Sequence, residues 1–265
     1  MDDTSTRRVA LVTGASSGIG LAFAHEYARA GYDLALTARR EARLHAIADE
    51  LAATHGCAVH VVAEDLSVPG ASHRIYDALT ARGLVVDALV NNAGYGTPGR
   101  FHQVPWERHR EFIEVLVTAV CEMSYLALPG MRARKFGRII NVASIAGFAP
   151  AAIGSILYPA AKAFVIRFSQ SLALENRGCG IHVTALCPGF TRTEFHEGEK
   201  TRRDVASLPK FMWMDAKTVA AQGFRAAERG DLRCINGWIN HIVAAIGQHT
   251  PNTLAVWGTR KLMKP

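Results

Sequence analysis

Tyr158 and Lys162 stand four residues apart in a stretch whose apolar spacing predicts a helix. Residues i and i+4 share a helix face, so the phenol and the ammonium become neighbours. A free tyrosine titrates at about 10. A nearby cation favours the phenolate and brings that value toward a working range. Such a phenol can pass a proton to or from an oxygen that changes between carbonyl and alkoxide. Tyr-x-x-x-Lys also arises often by chance, so what surrounds the pair decides its meaning. Ser144 precedes it, directly after the Val/Ile-rich run Arg138 to Ala143. Its hydroxyl suits hydrogen bonding to a substrate oxygen, where it stabilises developing charge.

A second group of residues suits a phosphate. Gly14-Ala15-Ser16-Ser17-Gly18-Ile19-Gly20 follows an apolar run and opens a helical stretch. Glycine lets the backbone turn tightly and approach a ligand with no Cβ in the way. The helix that follows aims its N-terminal amides and positive dipole end at the turn, where a pyrophosphate binds. The next apolar run ends Leu36-Thr37-Ala38-Arg39-Arg40. An NAD-selective site usually has an acid at this strand end to accept from the ribose hydroxyls. Ala38 stands there instead, and the planar guanidinium of Arg39 beside it suits a 2′-phosphate.

These groups need a scaffold, and the chain supplies one in alternation. Short apolar runs at 9–12, 33–38, 58–63, 88–91, 138–143 and 181–186 read as strands. Amphipathic stretches reaching to about 30, then at about 41–54, 69–81, 106–134 and 156–177, read as helices. The runs are rich in Val, Ile, Leu and Ala without clean alternation, as in a parallel sheet covered on both faces. Strand and helix in turn predict a doubly wound α/β fold of Rossmann type with about seven strands and right-handed crossovers. No linker or repeat interrupts it, so residues 1–265 are expected to form one nucleotide-binding domain. Beyond Pro188, residues 190–212 are polar and read as a lid. A helix at about 215–229 and a short strand at 233–236 follow, then an amphipathic tail over 237–265.

Composition narrows the function classes. The 265 residues are 49% apolar and 20% charged, which suits a globular core and excludes disorder and low complexity. The net charge of +7 is spread along the chain without a basic run, so no nucleic-acid partner is expected. Five cysteines with no Cys-x-x-Cys suggest neither a disulfide framework nor a zinc site, and reduced thiols fit the cytoplasm. No histidine pair has metal-binding flanks. The polar N-terminus has no signal-like apolar region, and no run of 18 apolar residues predicts a spanning helix.

With Thr13 in front, the glycine loop resembles the Thr-Gly-x-x-x-Gly-Ile-Gly motif of the short-chain dehydrogenase/reductase family. Further motifs follow in order over about residues 7–235: Asn91-Asn92-Ala93-Gly94, Ser144, Tyr158-x-x-x-Lys162 and Pro188-Gly189. The resemblance implies an oxidoreductase moving a hydride between a nicotinamide cofactor and a carbonyl or secondary alcohol. It makes Ser144, Tyr158 and Lys162 catalytic, with Lys162 also holding the nicotinamide ribose. It implies that NADP(H) is preferred over NAD(H). The implied cofactor set is Gly14, Ser16, Ser17, Gly18, Ile19, Gly20, Arg39, Arg40, Asp65, Leu66, Asn92, Ala93, Gly94, Tyr158, Lys162, Pro188, Gly189, Thr191 and Thr193. Asp65 matches the acid that meets the adenine amine, and Asn91, Ala93 and Gly94 match the segment along the adenosine ribose. Thr193 matches the threonine that holds the carboxamide. The helices at about 106–134 and 156–177 match the family's dimer surface, so a homodimer or homotetramer is expected.

Two positions depart from the family pattern. Leu116 stands where the family usually has the asparagine that kinks its helix and helps hold a relay water, so proton delivery is expected to be slowed. Pro159 follows the tyrosine directly and disfavours α geometry at the residue before it, which predicts a shifted Tyr158 hydroxyl. These two features support an alternative, a catalytically impaired cofactor-binding protein with a sensor or partner-binding role. The expected substrate wall is apolar: Tyr95, Gly96, Phe148, Ala149, Phe195, Phe211 and Trp213. It suggests an apolar small-molecule carbonyl or alcohol. The tail, with Trp238, Trp257, Arg260, Lys261 and Lys264, reads chiefly as packing, and contact with a membrane surface is the lesser expectation.

Overall fold

Strands that are apolar on both faces must be covered on both faces, and that requirement organises this chain. A computed structural model describes residues 7–149, 156–196 and 209–250. The strands are β1 (Val9–Thr13), β2 (Asp33–Thr37), β3 (Val59–Val61), β4 (Val86–Asn91), β5 (Gly137–Val142), β6 (Ile181–Cys187), β7 (Thr191–Arg192), β8 (Met214–Asp215) and β9 (Arg233–Ile235). The helices are α1 (Gly18–Arg29), α2 (Glu41–His55), α3 (Ala71–Thr80), α4 (Trp106–Ile113), α5 (Ala119–Arg134), α6 (Leu157–Glu175), α7 (Ala216–Arg229) and α8 (Trp238–His249). Seven strands pair in the order β3-β2-β1-β4-β5-β6-β9, all parallel, and β7 pairs with β8 apart from them.

Residues of the strands pack into apolar clusters on both faces of the sheet. Ala10, Val12, Leu34, Leu36, Val90 and Leu186 pack with α1, α2 and α7 on one face. Leu11, Ala35, Leu89, Ile139 and Val183 pack with α3, α5 and the intervening helices on the other. The strand order reverses between β1 and β4, so their carboxyl ends diverge and leave a crevice. That switch point is where open α/β sheets bind ligands.

Strand β4 starts earlier than the apolar run suggests because Asp87 is tolerated inside it. Its carboxylate accepts from the Val9 N–H at 3.0 Å and pairs with Arg134 at 3.1 Å. The stretch 106–134 is not one regular helix. A π turn over Glu114–Thr118 separates α4 from α5, and the Ala119 N–H donates to the Glu114 carbonyl. By length and composition alone this 29-residue stretch is apolar enough to cross a membrane, a test that a buried core helix also passes. Here it packs on the sheet, with Phe112, Val115, Leu116, Ala119, Met123, Ala127 and Met131 in the core. The five cysteines are free thiols.

Candidate active site

The crevice at the strand ends is a cleft of about 940 Å³, within the range of ligand pockets. At one end it is lined by Thr37, Ala38, Arg39, Arg40, Glu64, Asp65 and Leu66, and at the other by Ser144, Tyr158 and Lys162. Gly14, Ser16, Ser17, Gly18, Ile19, Asn92, Ala93, Gly94, Pro188, Gly189, Thr191 and Thr193 lie between. Each of these expected cofactor residues therefore faces one continuous space.

The glycine loop is held by β4. The Thr13 hydroxyl donates to the Val90 carbonyl at 3.2 Å and accepts from the N–H groups of Asn92 and Ala93 at 2.9 and 3.0 Å. The Asn92 amide donates back to the Thr13 carbonyl at 2.9 Å. Gly14 has φ 65°, and a Cβ there would lie 2.8 Å from the Asn92 side chain and 2.9 Å from the Ala93 backbone. Ser17 is the N-cap of α1 but makes no side-chain bond to its first amides, which face the cleft beside Gly18 and Ile19. An uncapped helix N-terminus beneath a glycine turn fits a pyrophosphate, and the cleft's volume and lining fit a dinucleotide.

Two residues of the expected set sit elsewhere. Gly20 does not line the cleft. A Cβ on it would meet the Gly14 carbonyl oxygen at 2.3 Å, so its role is to let α1 pack against the turn. Asn91 is buried and turns away from the ribose segment. Its amide donates to the Asn141 Oδ1 at 2.8 Å and the Ser124 hydroxyl at 3.2 Å, and the Asn141 amide passes a bond on to Ser169 at 2.9 Å. This network ties β4 and β5 to α5 and α6.

The expected catalytic group is built on β5 and α6. Ser144 follows β5 and caps a 3-10 turn over Ile145–Phe148, its Oγ accepting from the Ala146 N–H at 3.1 Å. Lys162, 6% exposed, donates from Nζ to the Val142 carbonyl at 2.7 Å. Burial lowers its pKa to about 8, partly opposed by Cys187 nearby. The Lys162 Nζ lies 5.7 Å from the centre of the Tyr158 ring. Tyr158 hydrogen-bonds Ser144, which favours its phenolate, but burial is the larger effect and holds its pKa above the ordinary 10. Desolvation therefore outweighs the Ser144 bond and decides the direction, rather than the neighbouring ammonium that the sequence led one to expect. Gly147 lets the 3-10 turn press on α6, since a Cβ there would meet the Lys162 backbone carbon at 2.8 Å.

Pro159 is the third residue of α6, within the first turn, where proline lacks only an N–H that would be unpaired anyway. The Tyr158 hydroxyl still reaches Ser144, so the proline does not carry it out of the group. Leu116 is buried in the π turn, and its Cγ lies 3.7 Å from where a Gly94 Cβ would be. The helix is thus distorted at this point without an asparagine.

Of the expected substrate wall, Tyr95, Gly96, Ala149 and Phe195 line the cleft, and Phe190, Pro98 and Val243 join them. Phe148 is buried in the core beneath α8, where Gly247 packs on its carbonyl. Phe211 is 70% exposed and Trp213 packs against Phe190, so neither lines it. The central part of the expected lid, 197–208, and the tail 251–265 lie outside the described residues. The π turn, Val243 and the partner of Arg40 had no local signal, because each depends on elements distant in sequence.

Comparison with known proteins agrees with this geometry. A family model described as short chain dehydrogenase matches residues 8–204. An oxidoreductase of Myxococcus xanthus is 35% identical over 96% of this chain and 97% of that protein. A very-long-chain 3-oxoacyl-CoA reductase of Anas platyrhynchos is 34% identical over 88% of this chain and 75% of its own length. The structure of a short-chain dehydrogenase from Sphingobium yanoikuyae in complex with NADPH superposes with a TM-score of 0.80, at 33% identity, covering 96% of this chain and 94% of that one.

Proposed function

This chain belongs to the short-chain dehydrogenase family of oxidoreductases, and on that premise we propose that it is an NADP(H)-dependent reductase or dehydrogenase of an apolar carbonyl or secondary alcohol. The observation that carries the reading is one cleft with arginines at the adenosine end and the Ser144–Tyr158–Lys162 group at the other. A nicotinamide cofactor supplies or accepts the hydride when bound. Ser144 would hydrogen-bond the substrate oxygen, and Tyr158 Oη would give it a proton in reduction and take one from it in oxidation. Below about pH 8 Lys162 is a buried cation beside them, favouring the phenolate that reduction leaves behind.

Arg39 and Arg40 at the end of β2, with no acid at Ala38, support NADP(H) over NAD(H). The NADPH of the Sphingobium yanoikuyae complex is consistent with that choice. Tyr95, Phe190, Phe195 and Val243 on the wall support an apolar substrate, and the 3-oxoacyl-CoA reductase relatives act on a carbonyl attached to a long acyl chain. Tyr125, Phe164 and Leu174 on the exposed faces of α5 and α6 support a homodimer or homotetramer. Reduced thiols are consistent with a cytoplasmic enzyme.

The test is NADPH oxidation against apolar ketones and 3-oxoacyl thioesters of increasing chain length. Turnover is expected to rise with apolar length, and Tyr158→Phe should lower kcat by about 100- to 10,000-fold, the worth of a positioned acid/base. Activity confined to small polar substrates would refute the substrate class. Full activity in Tyr158→Phe would refute the mechanism.

A further inference from the structure

The adenosine end of the cleft holds a charged contact that hydride transfer does not require. Arg40 Nη2 lies 2.9 Å from Glu194 Oε2. The same guanidinium donates to the Ser16 hydroxyl, at 3.3 Å from Nε and 3.0 Å from Nη2. Ser16 belongs to the glycine loop, and Glu194 opens a short 3-10 turn just after β7. One side chain therefore ties the start of the expected lid to the phosphate loop across the cleft. Arg39, one residue earlier, makes no side-chain hydrogen bond or ion pair among the described residues.

The neighbours of Glu194 give that tie reach. Thr193 sits over Gly18, 3.0 Å from where its Cβ would be. Phe195 lies on Tyr158 with ring centroids 5.8 Å apart. Three consecutive residues thus touch the pyrophosphate seat, the arginine end and the proton donor.

A 2′-phosphate carries a charge of about −2 and seeks guanidinium donors. Beside Arg40 it would meet a carboxylate already there, and two anions sharing a site repel. An unphosphorylated adenosine ribose sets up no such conflict. We propose that Glu194 is a coenzyme-discriminating residue whose carboxylate occupies Arg40 in place of the 2′-phosphate, so that NADP(H) must displace it and NAD(H) need not. This inference rests on the NADP(H) reading above. Arg40 and Glu194 are each about half exposed, so the pair is screened and gives way readily.

Calorimetry on the full chain tests this with two matched pairs of probes, NADPH against NADH and adenosine 2′,5′-bisphosphate against AMP. Glu194→Gln is expected to tighten both 2′-phosphorylated probes by about 3- to 5-fold, the scale of a half-exposed ion pair. It should change NADH and AMP by less than about 1.5-fold, and in an Arg40→Met background its effect should fall below about 2-fold, since the two positions act through one contact. A wild type that prefers NADPH, with Glu194→Gln leaving it unchanged or weaker, would overturn this inference and spare the NADP(H) reading. Equal tightening of NADH would remove the discrimination. An undiminished gain without Arg40 would replace competition by simple repulsion and overturn the proposal as stated. A wild type with no preference for NADPH would overturn the NADP(H) reading, and this inference with it.

Discussion

Lys162 at the catalytic wall and Arg40 at the adenosine end are both cations lining the same cleft, and they are held in opposite ways. Lys162 is buried and bonded to a strand carbonyl, and desolvation dominates its charge. Arg40 is half exposed and shared between a hydroxyl and a carboxylate. A buried charge is costly to keep and strongly felt by its neighbours. An exposed one costs little and can be exchanged between partners. On the proposed function, chemistry would lie where the contacts are buried, and coenzyme choice would rest on exposed contacts that salt and a single substitution can shift.

The largest effect expected from this contrast, after loss of Tyr158, is at Lys162. Its folded pKa of about 8 lies below the ordinary lysine value of 10.5. The unfolded chain thus binds more protons between those values, and stability rises with pH there. The penalty for burying the cation is full below pH 8 and gone above about 10.5, and the shift corresponds to roughly 3 kcal/mol. Lys162→Met should therefore raise the Tm of the cofactor-free protein at pH 6.5, offset in part by the lost bond to Val142, and the gain should shrink as pH approaches 10.5. Turnover should fall at least about 100-fold, as for loss of an acid/base partner. A Tm difference flat across this pH range would break the desolvation argument.

Arg39→Ala probes the exposed side. The KM for NADPH should rise about 10-fold, as for loss of a charge-assisted contact to phosphate, with kcat nearly unchanged. NADH should be affected less than about 2-fold, and raised salt should shrink the NADPH effect. A kcat loss instead would mean that the two ends of the cleft are not separable in this way.

The smallest change is expected at Leu116, under the catalytic wall. Because the π turn already exists there, Leu116→Asn should raise kcat in reduction by only about 2- to 5-fold, well below the worth of a full acid/base group. Burying an amide at this site should also lower stability by about 1–3 kcal/mol if it stays unpaired. Unchanged turnover on an identified substrate would show that proton delivery through this helix is not limiting.

Much of this was legible in the sequence because it is local. Apolar runs with no alternation gave strands buried on both faces, and their alternation with helices gave the parallel sheet. Tyr158 and Lys162 share a face because of helix periodicity, and the glycine loop follows a strand because its spacing demands it. The same local view did not show that Gly20, Asn91, Phe148, Phe211 and Trp213 stand off the cleft lining. Each but the exposed Phe211 has the right residue type in the right stretch, but its direction is set by what lies above it: the Gly14 carbonyl, Asn141 and Ser124, helix α8, and Phe190.

The sequence by itself determined the order of elements and the chemical groups at their ends, since both follow from propensity, periodicity and spacing along the chain. Tertiary structure decided which groups meet. Arg40 found Glu194 and Ser16 only because β1, β2 and the segment after β6 end on one edge of the sheet. Lys162 acquired its pKa of about 8 only because α6 presses its side chain into the core beside β5 and β6. Solvation and charge depend on the nearest atoms in space, and those atoms are brought together only by folding.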